Sequence, residues 1–295
     1  MQTTVIELER HWTFTPLGIR FWDPVTNAPV RDGLRVTAHS EVPFATPLQA
    51  FQTASGLYAF QGLAGLRDLE FSQGAAPGSP PELERYVVEV SDDRRRFLPT
   101  AFSLDLPLPY RGAFLNGGLA SQASPPGQGL PGFFLFSAPT RLSAPGLSAL
   151  RASLVERSTG RAVPYALLEV DVGGDSWVGI ADAAGQLAVL FPSPTFARNL
   201  PASPPFSGEE AAPAQDQVWP VTVRLRFDPG AQSFFDGIRA PDLRSLLTQP
   251  PALIWATEAG PPQTEWSGEL VFGQELYLRT AGRSELLVEA AGSPP

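Results

Sequence analysis

Carboxylates in one short stretch, Asp171, Asp175 and Asp182, are of the residue type that binds calcium. A calcium loop needs a dense run of Asp, Asn and Gly, and this spacing lacks it, so the sequence predicts solvated turn carboxylates. The sequence lacks the usual ligands of a transition metal, because it has 2 histidines, no cysteine and no H-x-x-x-H spacing. We therefore expect neither a metal nor another cofactor.

Ser176 is a candidate nucleophile, because the triplet Gly174-Asp175-Ser176 looks like the start of a GDSL hydrolase block. In that family the serine follows a strand at the start of a helix, and a partner histidine comes later in the chain. Here the triplet falls in a predicted hairpin connection, and His11 and His39 both precede it. The sequence favours a turn, since a hydrolase would need a pocket that gathers serine, histidine and carboxylate groups.

Tryptophan faces are the other candidate for ligand binding, because aromatic rings on a β-sandwich can stack on sugars. The chain has six: Trp12, Trp22, Trp177, Trp219, Trp255 and Trp266. Core and interface anchors are the favoured interpretation, since buried aromatic side chains dominate both kinds of packing. A carbohydrate-binding module stays open as the alternative.

Composition and charge narrow the class of protein. A net charge of −9 argues against a nucleic-acid partner, because such sites gather basic residues. The basic triplet 94–96 follows Asp92 and Asp93, so its charge is largely cancelled and the pattern indicates a solvated turn. With 43% hydrophobic residues, 27 Gly and 32 Pro, an all-β chain with long loops fits best. The low charged fraction of 17% favours a surface partly covered by partner subunits.

The stretch 154–192 alternates short apolar runs with tight turns. A turn at 157–160 precedes the alternating run 166–170, and a second turn follows at 182–185. The Thr159-Gly160 pair supplies the positive φ that a two-residue hairpin needs. We therefore predict a strand, a tight turn and a strand, repeated along an antiparallel β-domain.

This stretch resembles the carboxypeptidase regulatory-like family, whose consensus has the form D-x-x-T-G-x-P-V-x-x-A-x-V followed by T-D-x-x-G-x-F-x-F. The matching residues are Glu156 in place of the first Asp, Thr159-Gly160, Val163, Ala166, Leu168, Asp182, Gly185 and Leu187. The resemblance implies a transthyretin-like β-sandwich and no particular activity.

The front of the chain repeats the same pattern in divergent form. Asp23 corresponds to Glu156, Thr26-Asn27 to Thr159-Gly160, Pro29-Val30 to Ala162-Val163, and Ser55-Gly56 to Ala184-Gly185. Each copy has its own alternating apolar set and can close its own core. The sequence thus predicts two tandem transthyretin-like or Ig-like antiparallel β-sandwiches.

The predicted domain boundaries follow the composition. A first β-sandwich is expected at 1–112, a Pro/Gly-rich linker at 113–145, and a second β-sandwich at 146–295 with a long loop at 192–216. The one helix candidate is 240–247, where Pro and Asp suit a first turn and leucines share a face.

Candidate interface residues come from one apolar cluster and two tryptophans. They are Phe133, Phe134, Leu135, Phe136, Trp255 and Trp266. The cluster is expected to hold the linker against one domain, and surplus strands near the end of the chain to extend a sheet edge or pair with a neighbour.

These observations predict a non-enzymatic structural subunit whose partners are protein subunits of a larger assembly, copies of itself among them. The family resemblance implies, more specifically, a cap, baseplate or adaptor component of a phage-tail-like contractile injection particle. The chain starts without a signal peptide and has no apolar span, so we expect a cytoplasmic protein or one carried in a released particle.

Overall fold

The computed structural model describes residues 17–40, 45–64, 83–106, 132–194 and 217–292. The regular structure of these residues is almost entirely β-strand, and most strand pairs are antiparallel, so the predicted all-β sandwich fold is confirmed. Predictions for the strand before Leu17 and for most of the loop 192–216 lie outside the described residues. No helix among the described residues is long and apolar enough to cross a membrane.

The first sandwich comprises the described residues from 17 to 106 together with 132–138. Its strands are β1 (Leu17–Ile19), β2 (Phe21–Asp23), β3 (Ala28–Pro29), β4 (Leu34–Ser40), β5 (Leu48–Gln49), β6 (Phe51–Gln52), β7 (Tyr58–Phe60), β8 (Glu84–Asp92), β9 (Thr100–Leu106) and β10 (Phe133–Phe134). One sheet has the order β5-β4-β8-β9, and facing it are the short sheets β1-β7-β6 and β10-β2-β3. Phe21, Phe60 and Tyr86 are fully buried in the core between them.

The second sandwich comprises the described residues from 147 to 292. Its strands are β11 (Leu147–Glu156), β12 (Leu167–Val172), β13 (Asp175–Ile180), β14 (Gln186–Pro192), β15 (Val218–Arg226), β16 (Ala252–Trp255), β17 (Glu265–Val271), β18 (Leu276–Leu278) and β19 (Leu286–Ala290). One sheet has the order β13-β12-β15-β17. The other has the order β14-β11-β19-β16, with β18 also beside β11. Alternate residues of β15 face the core, as the two-residue period of a strand requires.

The two sandwiches share one pattern of strand pairing. β1 pairs antiparallel with β7 as β11 does with β14, and β2 pairs parallel with β10 as β11 does with β19. In the other sheet, β4 pairs with β5 and β8 as β12 pairs with β13 and β15. The pair of β8 and β9 likewise corresponds to the pair of β15 and β17. The duplication inferred from the sequence is therefore present in the topology.

The pairing registers make the correspondence residue by residue. Phe133 lies opposite Phe21, and Leu286 lies opposite Leu154. The backbone N–H of Val30 donates to the carbonyl of Phe21 (2.9 Å), and that of Val163 donates to the carbonyl of Leu154 (3.0 Å). Turn conformations agree as well, because Asn27 and Gly160 have φ of 50° and 68°, and Gly56 and Gly185 have φ of 80° and 73°.

The predicted tight hairpin after residue 156 is wrong in one respect. The turn forms as expected, with the backbone N–H of Gly160 donating to the carbonyl of Glu156 (2.8 Å). The next strand, however, does not pair with β11: β12 lies in the opposite sheet. After Val163 the chain bends at Pro164 and at Tyr165, which has a φ of 56°, and crosses to the other face of the core.

Gly185 marks a second crossing, between β13 and β14, and its position admits no side chain. A Cβ there would lie 2.7 Å from the carbonyl oxygen of Leu154 and 3.0 Å from the backbone N of Val163. We expect Gly185→Ala to lower the free energy of unfolding by at least about 2 kcal/mol, because it adds this clash to the cost of a left-handed backbone. Gly174→Ala is the matched control, since Gly174 has a φ of 91° and open space around it. Urea denaturation of both variants tests this, and equal losses would contradict it.

Residues 132–138 of the predicted linker belong to the first sandwich. Phe133–Phe134 forms β10, and the chain then runs antiparallel to residues 96–98, where Leu98 donates to the carbonyl of Phe136 (2.9 Å). This repeats the antiparallel pair of β16 and β19. Residues 113–131 lie outside the described part of the chain.

The predicted helix is present but short. Helix α1 spans Leu243–Leu247, and the side chain of its N-cap residue, Asp242, accepts from the backbone N–H of Arg244 (3.1 Å). Leu243 and Leu246 are its buried residues, as the sequence pattern indicated. The helix sits in a loop of the second sandwich between β15 and β16.

Candidate protein interface

The first sandwich is fixed to the second through three apolar clusters. In one of them Val25, at the turn after β2, packs against the outward-facing side of β11 and β14. The partners of Val25 are Ala149, Ala188 and Leu190. All four side chains are buried, so Val25 is covered by the neighbouring sandwich, although Thr26 and Asn27 of the same turn are exposed.

A second cluster lies around Phe136. Leu98, Phe136 and Ala138 of the first sandwich pack with Leu167 and Ile180 of the second, and Leu243 and Leu246 of α1 complete the cluster. The residues from the second sandwich come from the outer face of the sheet β13-β12-β15-β17. The first sandwich therefore contacts the outer faces of both sheets of the second, on the side of β13 and β14.

The loop that carries α1 reaches back to the first sandwich. Ile238 and Ala240 pack against Val87 and Ala101, and the backbone N–H of Ala101 donates to the carbonyl of Pro241 (3.1 Å). This contact occupies part of the outer edge of β9, which would otherwise offer free backbone groups to another strand.

Gln249 holds this loop against its own sandwich. Its side chain is fully buried and donates to the carbonyls of Tyr165 (2.9 Å) and Leu246 (3.1 Å). Its side-chain oxygen accepts from the backbone N–H of Asp228 (3.1 Å) and from Gln232 (3.1 Å). All four hydrogen-bonding positions of the amide are therefore used, which fixes the loop in one conformation.

Two arginines fix the segment 139–146 that connects the sandwiches. The guanidinium of Arg141 makes a bidentate ion pair with Asp23 (2.6 and 3.0 Å), and both side chains are about nine-tenths buried (11% and 8% exposed). Arg151 of β11 donates to the carbonyls of Pro139 (2.6 Å) and Arg141 (3.0 Å) and pairs with Glu275 (3.1 Å). The hydrogen bonds from Arg151 and Tyr277 lower the pKa of Glu275.

Between these contacts lies a cleft of about 270 Å³. Its walls are mostly apolar, from the turn after β2, from β10 and the residues that follow, and from β13 and β14. Its two serines are engaged inside the chain: Ser137 accepts from Arg141 (3.1 Å), and Ser176 donates to Asp171. Among the described residues that line the cleft, none is a histidine or carries a carboxylate.

The residues considered for catalysis do not come together. Gly173 and Gly174, which both have positive φ, form the turn before β13, and Ser176 is the second residue of that strand, so the predicted hairpin turn is confirmed. His39 lies on β4 of the first sandwich, 3.5 Å from Glu89. The residues of the described ranges contain no group of three His, Cys, Asp or Glu that could hold a metal ion.

Asp92 departs from the predicted solvated turn. Its side chain is fully buried and accepts from the backbone N–H and from the side chain of Arg96 (2.7 and 2.9 Å). Burial raises the pKa of Asp92, but the hydrogen bonds from Arg96 and from the backbone N–H of Arg94 outweigh it, so the net pKa is lowered. The carboxylate thus closes the turn after β8.

This shift makes stability depend on pH. A lowered folded-state pKa stabilises the protein above the unfolded value of about 4, and the contribution is lost as the pH falls below it. Asp92→Asn is therefore expected to cost about 1–3 kcal/mol at pH 7 and progressively less below pH 4. Urea denaturation of the wild type and the variant, at pH 7 and below pH 4, measures this cost, and the exposed Asp93→Asn is the control. A cost for Asp92→Asn that does not change with pH would contradict it.

The candidate interface residues fall in different places. Phe133 stacks on Phe102 with ring centroids 3.9 Å apart, and Leu135 is buried in the same core. Phe134 lines the cleft, and Phe136 is buried in the junction. Contact of these four with another subunit stays a prediction, because the structure shows them packed inside the chain.

The tryptophans also pack against their own chain. Trp255 is 3% exposed, with the guanidinium of Arg157 4.9 Å from its ring, and Trp266 lies over Gly268. Trp177 stacks on Phe191 (5.8 Å), and Trp219 is tilted against Phe272 (6.3 Å). Trp22 donates to Asn27 (3.3 Å), and Trp12 lies outside the described residues. Of the described tryptophans, Trp255 is buried and the other four are half-buried against their own chain.

Sequence reasoning did not find Val25, Arg141 or Arg151. Val25 lies in a turn whose pattern predicts solvent exposure. The partner of Arg141 is 118 residues away, and no local pattern signals such a pair. The turn after β2 and the segment around β10 lie together on the side of the first sandwich that contacts the second. The duplicated pattern was the one sequence feature that pointed to this side.

Comparisons with known proteins give few matches. No protein-family model and no curated protein matches the chain. Among solved structures, the shaft pilin SpaA of Lactobacillus rhamnosus GG aligns over 94% of this chain and 99% of its own at 8% identity, with a TM-score of 0.21. The Bacillus anthracis TIE protein aligns over 87% of this chain and 44% of its own at 10% identity, with a TM-score of 0.20. A candidate adhesin of Bacteroides ovatus aligns over 95% of this chain and 100% of its own at 8% identity, with a TM-score of 0.17. TM-scores this low carry no argument about function, so the evidence for a role is the geometry of the chain itself.

Proposed function

We propose that the chain is a non-enzymatic structural subunit that holds neighbouring proteins in a larger assembly. The observation that carries the proposal is the fixed junction: three apolar clusters and the Arg141–Asp23 pair join the two sandwiches at a set angle. A subunit that spaces its neighbours needs such rigidity, whereas an enzyme or ligand-binding pair of domains commonly uses an open and mobile cleft.

The charge distribution supports the same role. Charged side chains on the outer face of the second sandwich form a cross-strand network, in which Arg224 contacts Glu169, Asp171 and Glu265. Such pairs keep the middle of a sheet face soluble and leave binding to edges and loops. We place the chain, more specifically, in a phage-tail-like contractile injection particle as cap, baseplate or adaptor, on the resemblance of the 156–187 pattern to carboxypeptidase regulatory-like proteins.

Affinity isolation of the tagged chain from the cells that produce it tests the structural role. We expect other proteins to remain bound after a high-salt wash, in a fixed stoichiometric ratio to the chain. Recovery of the chain without any stoichiometric partner would contradict the proposal. Tail-like proteins among the partners would support the finer placement, and their absence from a stoichiometric complex would refute that placement alone.

A further inference from the structure

The duplication leaves one copy of the docking surface uncovered. The first sandwich contacts the second through what we call the docking face, formed by the turn 24–27 and the residues 134–137. The pairing registers assign each of these residues a counterpart in the second sandwich. The counterparts include Arg157, Ser158 and Gly160 in the turn, and Leu287, Glu289 and Ala290 in β19.

These counterparts line one groove. It has a volume of about 770 Å³. All of its lining residues belong to the second sandwich, and none of them belongs to the three clusters that form the junction. Leu253 and Leu287 give it an apolar floor beside Trp255, which the guanidinium of Arg157 covers at 4.9 Å. The second sandwich thus presents the counterpart of the face by which the first sandwich binds its neighbour.

The surface that receives the docking face is duplicated too. Val25 packs on Ala188 of β14, which lies opposite Arg151. In the first sandwich the corresponding residue is Ala59 of β7, opposite Gly18. Phe51 of β6 lies directly opposite Ala59 and is 44% exposed. Ala59 itself is buried (3% exposed), and the exposed ring of Phe51 beside it is what makes this receiving face, defined as β5 to β7, partly apolar and accessible.

The side chains on these two open faces are complementary. Ser158 stands where the docking face has Val25, and this smaller side chain leaves room for the larger ring of Phe51. Glu289 stands where Phe136 packs in the cluster that includes Tyr165. Arg31 lies in the segment between Val30 and β4, which corresponds to the segment that holds Tyr165. Neither Glu289 nor Arg31 forms an ion pair with any residue in the described ranges, so both charges are available to pair with each other if the two faces come together.

We propose that the groove of one copy binds the receiving face of the first sandwich of a second copy, so that chains associate head to tail. The contact would repeat between molecules the junction that exists within each molecule. Because the two faces differ, the interface is heterologous, and it generates rings or filaments rather than a two-fold dimer. This inference rests on the proposed structural role and names the partner as a second copy of the chain.

The test uses the purified full chain and analytical ultracentrifugation over a range of concentrations. Wild-type chain is expected to show a mass that rises with concentration above the 31.6 kDa monomer. Ser158→Arg disables the groove and Phe51→Glu disables the receiving face, each weakening association by about tenfold or more. Leu142→Glu is the control, because Leu142 is 86% exposed and lies on neither face. It is expected to associate as the wild type does.

Mixing the two disabled variants separates this arrangement from every symmetric one. Each variant keeps one intact face, so an equimolar mixture is expected to form a dimer with one copy of each and nothing larger. A wild-type chain that stays monomeric, a variant without effect, or a mixture that stays monomeric would overturn the proposal. Circular dichroism of both variants establishes that they are folded, since both positions are exposed.

Charge reversal tests the register of the contact. Glu289→Arg is expected to weaken association by about tenfold, and mixing it with Arg31→Glu is expected to restore it. Failure to restore it would refute this pairing of faces. A purified chain that is monomeric while the native chain is held in a multiprotein complex would refute self-association and leave the structural role intact.

Discussion

Replacement of Arg141 by alanine is expected to lower the free energy of unfolding by about 3–5 kcal/mol, because it leaves the Asp23 carboxylate buried without its counter-charge. Asp23 also accepts from the backbone N–H of Val25 (3.0 Å) and from Thr26 (2.8 Å), so its carboxylate cannot turn towards solvent without losing the turn that Val25 occupies. The guanidinium further packs on the ring of Phe97 (5.0 Å), and that contact is lost as well.

The matched control for this substitution is Arg283→Ala. Arg283 pairs with Glu258, but the two side chains are 41% and 60% exposed, so the loss is expected to be far smaller than that of Arg141→Ala. Urea denaturation followed by tryptophan fluorescence measures both. Equal losses for the two variants would mean that the buried pair does not hold the junction.

Phe136→Ala is the second substitution with a large expected effect. Phe136 is 5% exposed, and truncation of a buried phenylalanine costs about 3–5 kcal/mol. Its partners come from both sandwiches and from α1, so the cavity opens at the junction rather than within one core. We expect the variant to unfold in two calorimetric transitions, one for each sandwich, where the wild type unfolds in one.

Phe51→Ala serves as the control, because its ring is 44% exposed and lies outside the junction. It is expected to change the free energy of unfolding by less than about 1 kcal/mol and to keep a single transition. If Phe136→Ala also keeps a single transition, or if the wild type already unfolds in two, the junction does not couple the sandwiches.

The local pattern of the sequence predicts most of the strands and turns. The Thr-Gly pair and the turn 182–185 predict a positive φ at Gly160 and Gly185, and both glycines have it. The register of β15 follows from its strict alternation, and the short helix α1 from Asp242 at its start. Each of these features is decided by residues within a few positions of one another.

Features that depend on distant residues were not predicted. Alternation shows which side chains of β12 face a core, but it does not show which sheet the strand joins, so the crossing at Pro164 was missed. The composition around Phe133 resembles a linker, yet its partner strand β2 lies at the other end of the first sandwich sequence and holds it in a sheet. Arg141 and Asp23 carry no local signal at all.

The central claim is that the chain works as one rigid structural unit within a larger assembly. The most direct measurement is the sedimentation of the native chain in fresh lysate, followed through a density gradient by immunoblotting. The account predicts that the chain sediments well ahead of a 31.6 kDa protein, together with partner subunits or further copies of itself. Sedimentation of all the chain as a lone monomer would contradict it.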